Sequence, residues 1–359
     1  MIALLGRPDA PTDALADYCF WLSRALDQEG FPLSRACVDW AERGWLAAIS
    51  GLWRDSRDWK ARWVLLQYTA LAWSRRGIPF GVLAVLFVLR WRGAKIAVVF
   101  HDAAPYAGRR WKDRVRSALQ SFVMRCAYRL SQRSMMTVPL EKAAWLPKRR
   151  EKAAFIPVGA NFSVPAISPQ DTGDLRGRQK TVAVFGVTGN PTLPSESKEI
   201  AQIVRRAADA CPRLRLLVLG RNAEAAAADL RAALEGSGVD LEIHGVLSAE
   251  EVQRRLSAAD VLLFVRGGIS SRRGSAIAGI ACSLPVVAYS GPETGPPITD
   301  AGVLLAPEGD RDALAANLSR VLADDALRAE LRRRSAAAQE NYFSWPAIAR
   351  SFLRVLNHD

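Results

Sequence analysis

Arg266-Gly-Gly-Ile-Ser-Ser-Arg-Arg-Gly-Ser-Ala-Ile-Ala-Gly-Ile-Ala-Cys-Ser-Leu-Pro-Val-Val-Ala288 follows directly on the apolar run Asp260–Val265. The run has strand length. A Gly/Ser/Arg loop comes next, then a small-residue helix over Ser275–Ser283 and a second strand over Pro285–Ala288. A loop that leaves a parallel strand and enters a helix presents free backbone N–H groups and the positive end of the helix dipole. Gly267, Gly268 and Gly274 permit close backbone approach, and Arg272 and Arg273 add fixed positive charge. With Arg266, Ser270, Ser271 and Ser275 in the same stretch, the segment suits a diphosphate better than a neutral ligand. The bland reading is a helix packed closely on a sheet, with two solvated arginines.

Outward from this segment the same alternation recurs. Strands are expected at Ile2–Leu5, Leu33–Val38, Trp63–Tyr68, Lys95–Phe100, Ser134–Val138 and Ala153–Pro157. Helices are expected at Asp13–Glu29, Trp40–Trp53, Phe80–Trp91 and Trp111–Leu130. Ser163–Asp174, rich in Pro, Ser, Gly and Asp, reads as a linker. Beyond it Val182–Phe185, Leu214–Leu219, Leu241–His244 and Gly302–Leu305 read as strands. Ser195–Ala210, Ala223–Leu234, Ala249–Leu256 and Arg311–Leu322 read as helices. Alternating strand and helix argues for parallel sheets covered on both faces. The expected architecture is α/β: two doubly wound Rossmann-like domains facing a cleft, residues 1–165 and 175–340, with helix 344–357 running back to the first. In such sheets ligands sit beyond the carboxyl ends of the strands.

Half of the 359 residues are apolar and 24% are charged, ordinary values for a globular chain long enough for two cores. Five scattered cysteines give neither a disulfide framework nor a zinc site and fit a reducing cytosol. The opening residues read as a short strand and not a signal peptide. The longest apolar run, Ile78–Leu89, is about half of the ~20 residues a membrane span needs, and reads as a buried helix. The net charge of +13 is uneven: residues 1–165 carry 26 Lys+Arg against 13 Asp+Glu, and the rest of the chain balances at 23 and 23. The densest basic runs, Arg109–Arg116 and Lys148–Lys152, lie in or near Trp111 and Trp145. Basic clusters mixed with tryptophan suit an anionic bilayer surface. Solvated helix faces are the bland alternative, and nucleic acid is the least favoured partner.

The arrangement resembles the GT-B glycosyltransferases, and within them the family 4 (group 1) retaining enzymes. Ala281-Cys-Ser-Leu-Pro-Val-Val-Ala288 is similar to that family's Ala-x-Gly-x-Pro-Val-Val-Ala, with Ser283 where glycine is usual. Ala301-Gly-Val-Leu-Leu-Ala-Pro-Glu-Gly-Asp310 with Ala313-Leu-Ala315, Phe343-Ser-Trp345, Phe100-His-Asp102 and Phe155-Ile-Pro-Val-Gly159 resemble further family segments in the right order. Two features depart from the family. Its paired glutamates, separated by seven residues, fall on Ser270 and Ala278 here. The arginine site after the domain's first strand is replaced by Phe185-Gly-Val-Thr-Gly-Asn190, and Lys198 stands in for the usual lysine. The paired glycines of the acceptor-side loop are also absent from Asp9-Ala-Pro-Thr12.

The resemblance implies transfer of a hexose-type sugar from a nucleotide-diphosphate donor, with retention. The basic first half points to a lipid-linked or polysaccharide acceptor and to a cytoplasmic protein peripheral on the inner face of the plasma membrane; neither a metal nor another cofactor is implied. Arg272, Arg273, Gly274, Ser275 and Lys198 would neutralise the diphosphate. Gly186, Thr188 and Asn190 would line the opposite side. His101 and Asp102 would meet the sugar or acceptor, and Glu293, in Gly291-Pro-Glu-Thr-Gly295, would approach the donor and replace part of the missing carboxylate. His244 reads as structural. The missing glutamates leave a catalytically silent GT-B protein, binding a sugar nucleotide or a partner enzyme, as the alternative. Sugar-nucleotide epimerisation is a third reading.

Overall fold

The computed structural model describes residues 1–9, 13–108, 110–162, 179–187, 196–211 and 213–357. The linker segment Ser163–Asp174, together with Thr188 and Asn190, lies outside the described residues. Two compact units result: Met1–Val158 with Trp345–Asp359, and Gly159–Ser344.

The first unit runs β1 (Ile2–Leu5), α1 (Ala14–Gln28), β2 (Ser34–Cys37), α2 (Trp40–Arg43), α3 (Trp45–Asp55), β3 (Trp63–Tyr68), α4 (Gly81–Trp91), β4 (Lys95–Phe100), α5 (Trp111–Leu130), β5 (Arg133–Met136) and β6 (Ala153–Phe155). The six strands form one parallel sheet in the order β2-β1-β3-β4-β5-β6. Alternate residues of β1, β3 and β4 (Ile2, Leu4; Val64, Leu66; Ile96, Val98) join α3, α4 and α5 in one core layer. Ala3, Leu65 and Ala97, of opposite parity, are buried as well. Burial on both faces explains why these strands read as continuous apolar runs. The single helix expected over Trp40–Trp53 is instead two, because Gly44 takes φ +77, ψ 160, a conformation outside the helical region and open to glycine.

The second unit runs β7 (Lys180–Phe185), α6 (Glu196–Ala210), β8 (Leu214–Leu219), α7 (Ala227–Leu234), β9 (Asp240–His244), α8 (Ala249–Ser257), β10 (Val261–Gly268), α9 (Gly274–Ala281), β11 (Val286–Tyr289), β12 (Val303–Ala306), α10 (Arg311–Ala323) and α11 (Asp325–Ala338). Its parallel sheet has the order β12-β11-β10-β7-β8-β9. From β7 the chain first winds one way through β8 and β9, then returns to build β10, β11 and β12 on the other side. The order therefore reverses between β7 and β10, the position where doubly wound sheets open a crevice at their carboxyl edge. After a π-helical turn at Gln339–Phe343 the chain rejoins the first unit as α12 (Trp345–Asn357), which packs against α1.

The deciding segment differs from expectation in one respect. β10 does not end at Val265. It continues through Arg266, Gly267 and Gly268, with a register shift against β11 between Phe264 and Gly268. Gly268 has reason to be glycine, because a Cβ there would lie 2.4 Å from Gly291 Cα. The close approach is to the β11 loop. Gly267 needs its freedom for φ +69, whereas a Cβ on Gly274 would meet nothing within 4 Å.

Ser283, where the resemblance has glycine, adopts φ +55, and its buried hydroxyl has no hydrogen-bond partner. A left-handed non-glycine residue costs roughly 1–2 kcal/mol and an orphaned hydroxyl costs more, against the added freedom of glycine in the unfolded chain. Ser283→Gly is expected to stabilise the second unit by about 1 kcal/mol, raising its melting temperature by about 2–4 °C in differential scanning calorimetry. An unchanged or lower melting temperature would show that the strain is absent.

Candidate functional site

The carboxyl ends of β7 and β10 meet at the reversal of strand order. Gly186, the residue after β7, has φ +79, and a Cβ there would lie 3.1 Å from Arg266 Nη1. Glycine thus lets the guanidinium of Arg266 lie against the backbone of the first strand. Gly186 N–H donates to Leu219 O (2.7 Å), and Asn222 Nδ2 donates to Val187 O (3.1 Å), which hold the start of the following loop to β8. Thr188 and Asn190 cannot be placed with these groups, being outside the described residues. Lys198 is exposed near the start of α6.

Beyond β10 the chain turns through buried Ser270 and Ser271 into α9. Arg273 caps this helix through its backbone, its carbonyl accepting from Ala276 N and Ile277 N at 2.9 and 3.0 Å. Among the described residues, no acceptor pairs with the N–H groups of Gly274 and Ser275. These donors and the helix dipole make this end of α9 electropositive. Arg272 does not stand free beside them. Its Nε and Nη2 donate to Glu293 Oε2 and Oε1 at 2.7 and 2.8 Å, a two-point ion pair, and Ser270 Oγ donates to Oε2 at 3.0 Å. Arg273 differs: its Nε is buried without a hydrogen-bond partner. Burial pushes the Arg273 guanidinium's pKa down, Arg272 and Arg266 repel it further, and Glu293 offsets part of this. Three arginines and one glutamate therefore surround the helix start, an excess of positive charge.

Glu293 reaches this position because two glycines allow it. Gly268 and Gly291 bring two backbones together without side chains between them. Thr294 then ties the loop down: its Oγ1 donates to Ile269 O (2.6 Å) and accepts from Gly291 N (2.8 Å). A carboxylate thereby lies within hydrogen-bond distance of Ser270, one of the two positions where the resemblance has a glutamate. The carboxylate arrives from another loop and is already bound to Arg272 and Ser270, so it is not open to a donor in the way the sequence suggests. A second carboxylate that sequence reasoning missed, Glu308, has Oε1 4.0 Å from where a Gly267 Cβ would lie. The Asp310-Arg311-Asp312 triplet beside it is used structurally: Asp310 Oδ1 accepts from Ala313 N at 2.9 Å and caps α10, and Asp312 pairs with Arg206.

Burial raises the pKa of the Glu293 carboxyl, but the hydrogen bonds and charge of Arg272, with Ser270 and Arg273, outweigh it and hold it below the ordinary 4.5. A depressed carboxyl stabilises the fold fully above its unfolded value, and this is lost as pH falls through the lower folded value. Melting temperature is therefore expected to fall as pH drops below about 4.5 in the wild type, and less steeply in Glu293→Gln. Equal slopes in thermal melts between pH 7 and 3.5 would contradict the pairing.

In the first unit, His101 and Asp102 follow β4. The Gln67 amide nitrogen donates to Leu65 O (3.2 Å), which leaves its Oε1 facing His101 Nε2 at 2.8 Å. Nε2 is then the donor, and in the neutral ring Nδ1 is the acceptor. The imidazole stands edge-to-face on Tyr18 (centroids 4.9 Å), which in turn meets Trp345 at the start of α12 (5.3 Å). Asp102 Oδ2 accepts from Ala70 N at 2.6 Å, fixing the loop after β3. Gln67, Tyr18 and Trp345 gave no sequence signal as neighbours of His101, since each is distant along the chain. His244 Nε2 bonds Glu242 Oε1 (2.8 Å) within β9, a structural pairing.

Residues 184–324 match the model of the family described as Glycosyl transferases group 1. Among solved structures, sucrose-phosphate synthase from Thermosynechococcus elongatus aligns with a TM-score of 0.69 at 17% identity, covering 99% of this chain and 98% of that one. Anabaena HepE, in complex with UDP and glucose, aligns with a TM-score of 0.67 at 14% identity over 99% and 98% of the two chains. A putative UDP-N-acetylglucosamine 2-epimerase from Listeria monocytogenes aligns with a TM-score of 0.64 at 11% identity over 99% and 95%. No curated protein matches the sequence significantly. The group 1 match thus spans most of the second unit, and the chain shares the two-domain α/β fold of these structures over its whole length.

Proposed function

We propose that the protein transfers a hexose-type sugar from a UDP-linked donor to a lipid-linked or polysaccharide acceptor, with retention, at the cytoplasmic face of the plasma membrane. The observation that carries this reading is the cluster of Arg266, Arg272 and Arg273 at the start of α9, beside unpaired N–H groups and the reversal of strand order. A diphosphate matches it in charge and in acceptor oxygens. UDP as the carrier is suggested by HepE, whose structure holds UDP and glucose.

In the proposed step the bond between the sugar's C1 and the diphosphate oxygen breaks, and UDP leaves with the electron pair. The acceptor oxygen bonds C1 from the same face, and its proton passes to the departing phosphate oxygen. Arg273 and the Gly274 and Ser275 N–H groups hold the charge that grows on UDP. Glu293 keeps Arg272 oriented beside them, and His101 and Asp102 serve the sugar or acceptor. Neither a metal nor another cofactor has a part in this scheme. The basic first unit supplies long-range attraction to anionic lipid, screened by salt. Among the described residues, no helix is long and apolar enough to cross a membrane.

The test is incubation of the purified protein with a panel of UDP-, GDP- and dTDP-sugars and a membrane extract, reading nucleotide release and sugar incorporation. Release from UDP-sugars alone, dependent on extract, is the expected result. Release from another nucleotide family would replace the donor assignment. Donor binding without transfer to any acceptor would favour the silent reading that the absent glutamates raise.

A further inference from the structure

Helix α4 is apolar on every side, and the sequence reads it as buried. It is not. Val82, Val85, Leu86 and Leu89 are buried, but Phe80, Ala84, Phe87 and Trp91, spaced by four, three and four residues, form a stripe on the opposite side. Phe87 is 61% exposed and Trp91 80%. Helix α5 carries a matching outward stripe: Trp111, Val115, Ala118 and Phe122, with Trp111 70% exposed. The two stripes join where Phe80 meets Phe122, ring centroids 6.5 Å apart. From that junction each stripe extends about 16 Å along its helix, to Trp91 in one case and Trp111 in the other. Tryptophan thus stands at both far ends and phenylalanine in the middle. A continuous exposed apolar face of this kind calls for a partner.

The charge around it selects the partner. Residues 80–130 contain ten Lys or Arg and two Asp or Glu. Both acids are engaged internally, Asp102 with Ala70 N and Asp113 with Arg110 N. Arg90, Lys112, Arg114, Arg125 and Arg129 are exposed beside the stripes. An apolar stripe flanked by one sign of charge, with tryptophan at its ends, matches the boundary between anionic headgroups and acyl chains. A protein partner would instead have to present a matching acidic surface around an apolar centre.

We infer that the outer face of α4 and α5 inserts Phe87, Trp91 and Trp111 into an anionic bilayer, laying both helices in the membrane surface. This rests on the peripheral-membrane reading above and deepens it: attraction by charge alone would vanish at high salt, whereas inserted aromatic side chains hold after screening.

The experiment compares binding to phosphatidylglycerol/phosphatidylcholine vesicles and to phosphatidylcholine vesicles, at low and high salt, with tryptophan quenching by brominated acyl chains. The wild type is expected to need the anionic lipid, to retain part of its binding at high salt and to be quenched. Phe87→Ser with Trp91→Ser and Trp111→Ser should weaken partitioning at least tenfold and abolish most quenching, with the UDP thermal shift unchanged. If that triple variant loses its melting transition, Trp91→Phe with Trp111→Phe serves instead, keeping binding while losing quenching. Triple-variant binding equal to wild type, no wild-type binding to anionic vesicles, or a wild-type dimer that the triple variant makes monomeric would each overturn the inference. Binding lost only through Lys112→Ala with Arg114→Ala would overturn insertion and leave electrostatic docking. Vesicle binding and quenching intact without any UDP shift would uphold insertion and sink the donor reading.

Discussion

Arg273→Ala is expected to lower kcat/KM for the nucleotide-sugar donor by about 10²–10³-fold while leaving the melting temperature within a few degrees of wild type. The expectation follows from the difference between two neighbouring arginines. Arg272 is engaged by a two-point contact with Glu293. Arg273 keeps a buried Nε without a partner, next to two other guanidinium groups. A half-buried, repelled cation is costly in the empty protein, and an arriving dianion relieves that cost, which concentrates binding energy on this side chain. Removing it deletes a repulsion as well as a charge, so the fold should gain slightly or stay neutral. Arg272→Ala should behave differently. It strips the half-buried Glu293 carboxylate of its ion-pair partner, leaving only the Ser270 hydrogen bond, lowers stability and places a negative charge where the donor's phosphates arrive. Equal activity of Arg273→Ala and wild type would remove Arg273 from the site.

Gly268→Ala is expected to destabilise the second unit by about 2–3 kcal/mol and to depress activity in proportion to how far the Gly291–Gly295 loop moves. The methyl would lie 2.4 Å from Gly291 Cα and 2.7 Å from Gly291 N, both main-chain atoms that no rotamer change can clear. One strand end must shift, and the Thr294 and Glu293 contacts shift with it. Gly274→Ala is the control. Its methyl meets nothing, and alanine favours a helix, so stability should hold or rise by a few tenths of a kcal/mol. Donor binding should nonetheless weaken, because the methyl would stand beside the N–H groups assigned to the diphosphate. Calorimetry and donor titration on the pair separate backbone packing from ligand approach. Comparable melting temperatures for the two variants would show that the Gly268–Gly291 contact does not hold the loop.

Much of the fold was legible in the residues. The bounds of β1, β3, β4, β8 and α5 agree residue for residue with the sequence reading. Strands buried on both faces are unbroken apolar runs between polar turns, and a run of that kind has sharp ends. The end of β10 was not legible, because Gly267 and Gly268 resemble loop and the paired strand supplies the reason they are not. The outward stripe of α4 was hidden for a related reason: a helix without a polar face carries no mark of which side meets solvent. In the site, the residue types at the start of α9 pointed to an anion. Which arginine is free could not be read, since Glu293 lies 21 residues beyond Arg272 and reaches it only through the Gly268–Gly291 approach. The surroundings of His101 were similarly hidden, because Gln67 comes from the preceding strand and Trp345 from the end of the chain.

Isothermal titration of UDP into wild type and Arg273→Ala tests the central claim most directly. The account predicts saturable binding by the wild type, preferred over GDP and dTDP and weakened at least tenfold by Arg273→Ala. UDP affinity that is identical in wild type and Arg273→Ala, or absent from both, would contradict the assignment of the α9 start as the diphosphate site.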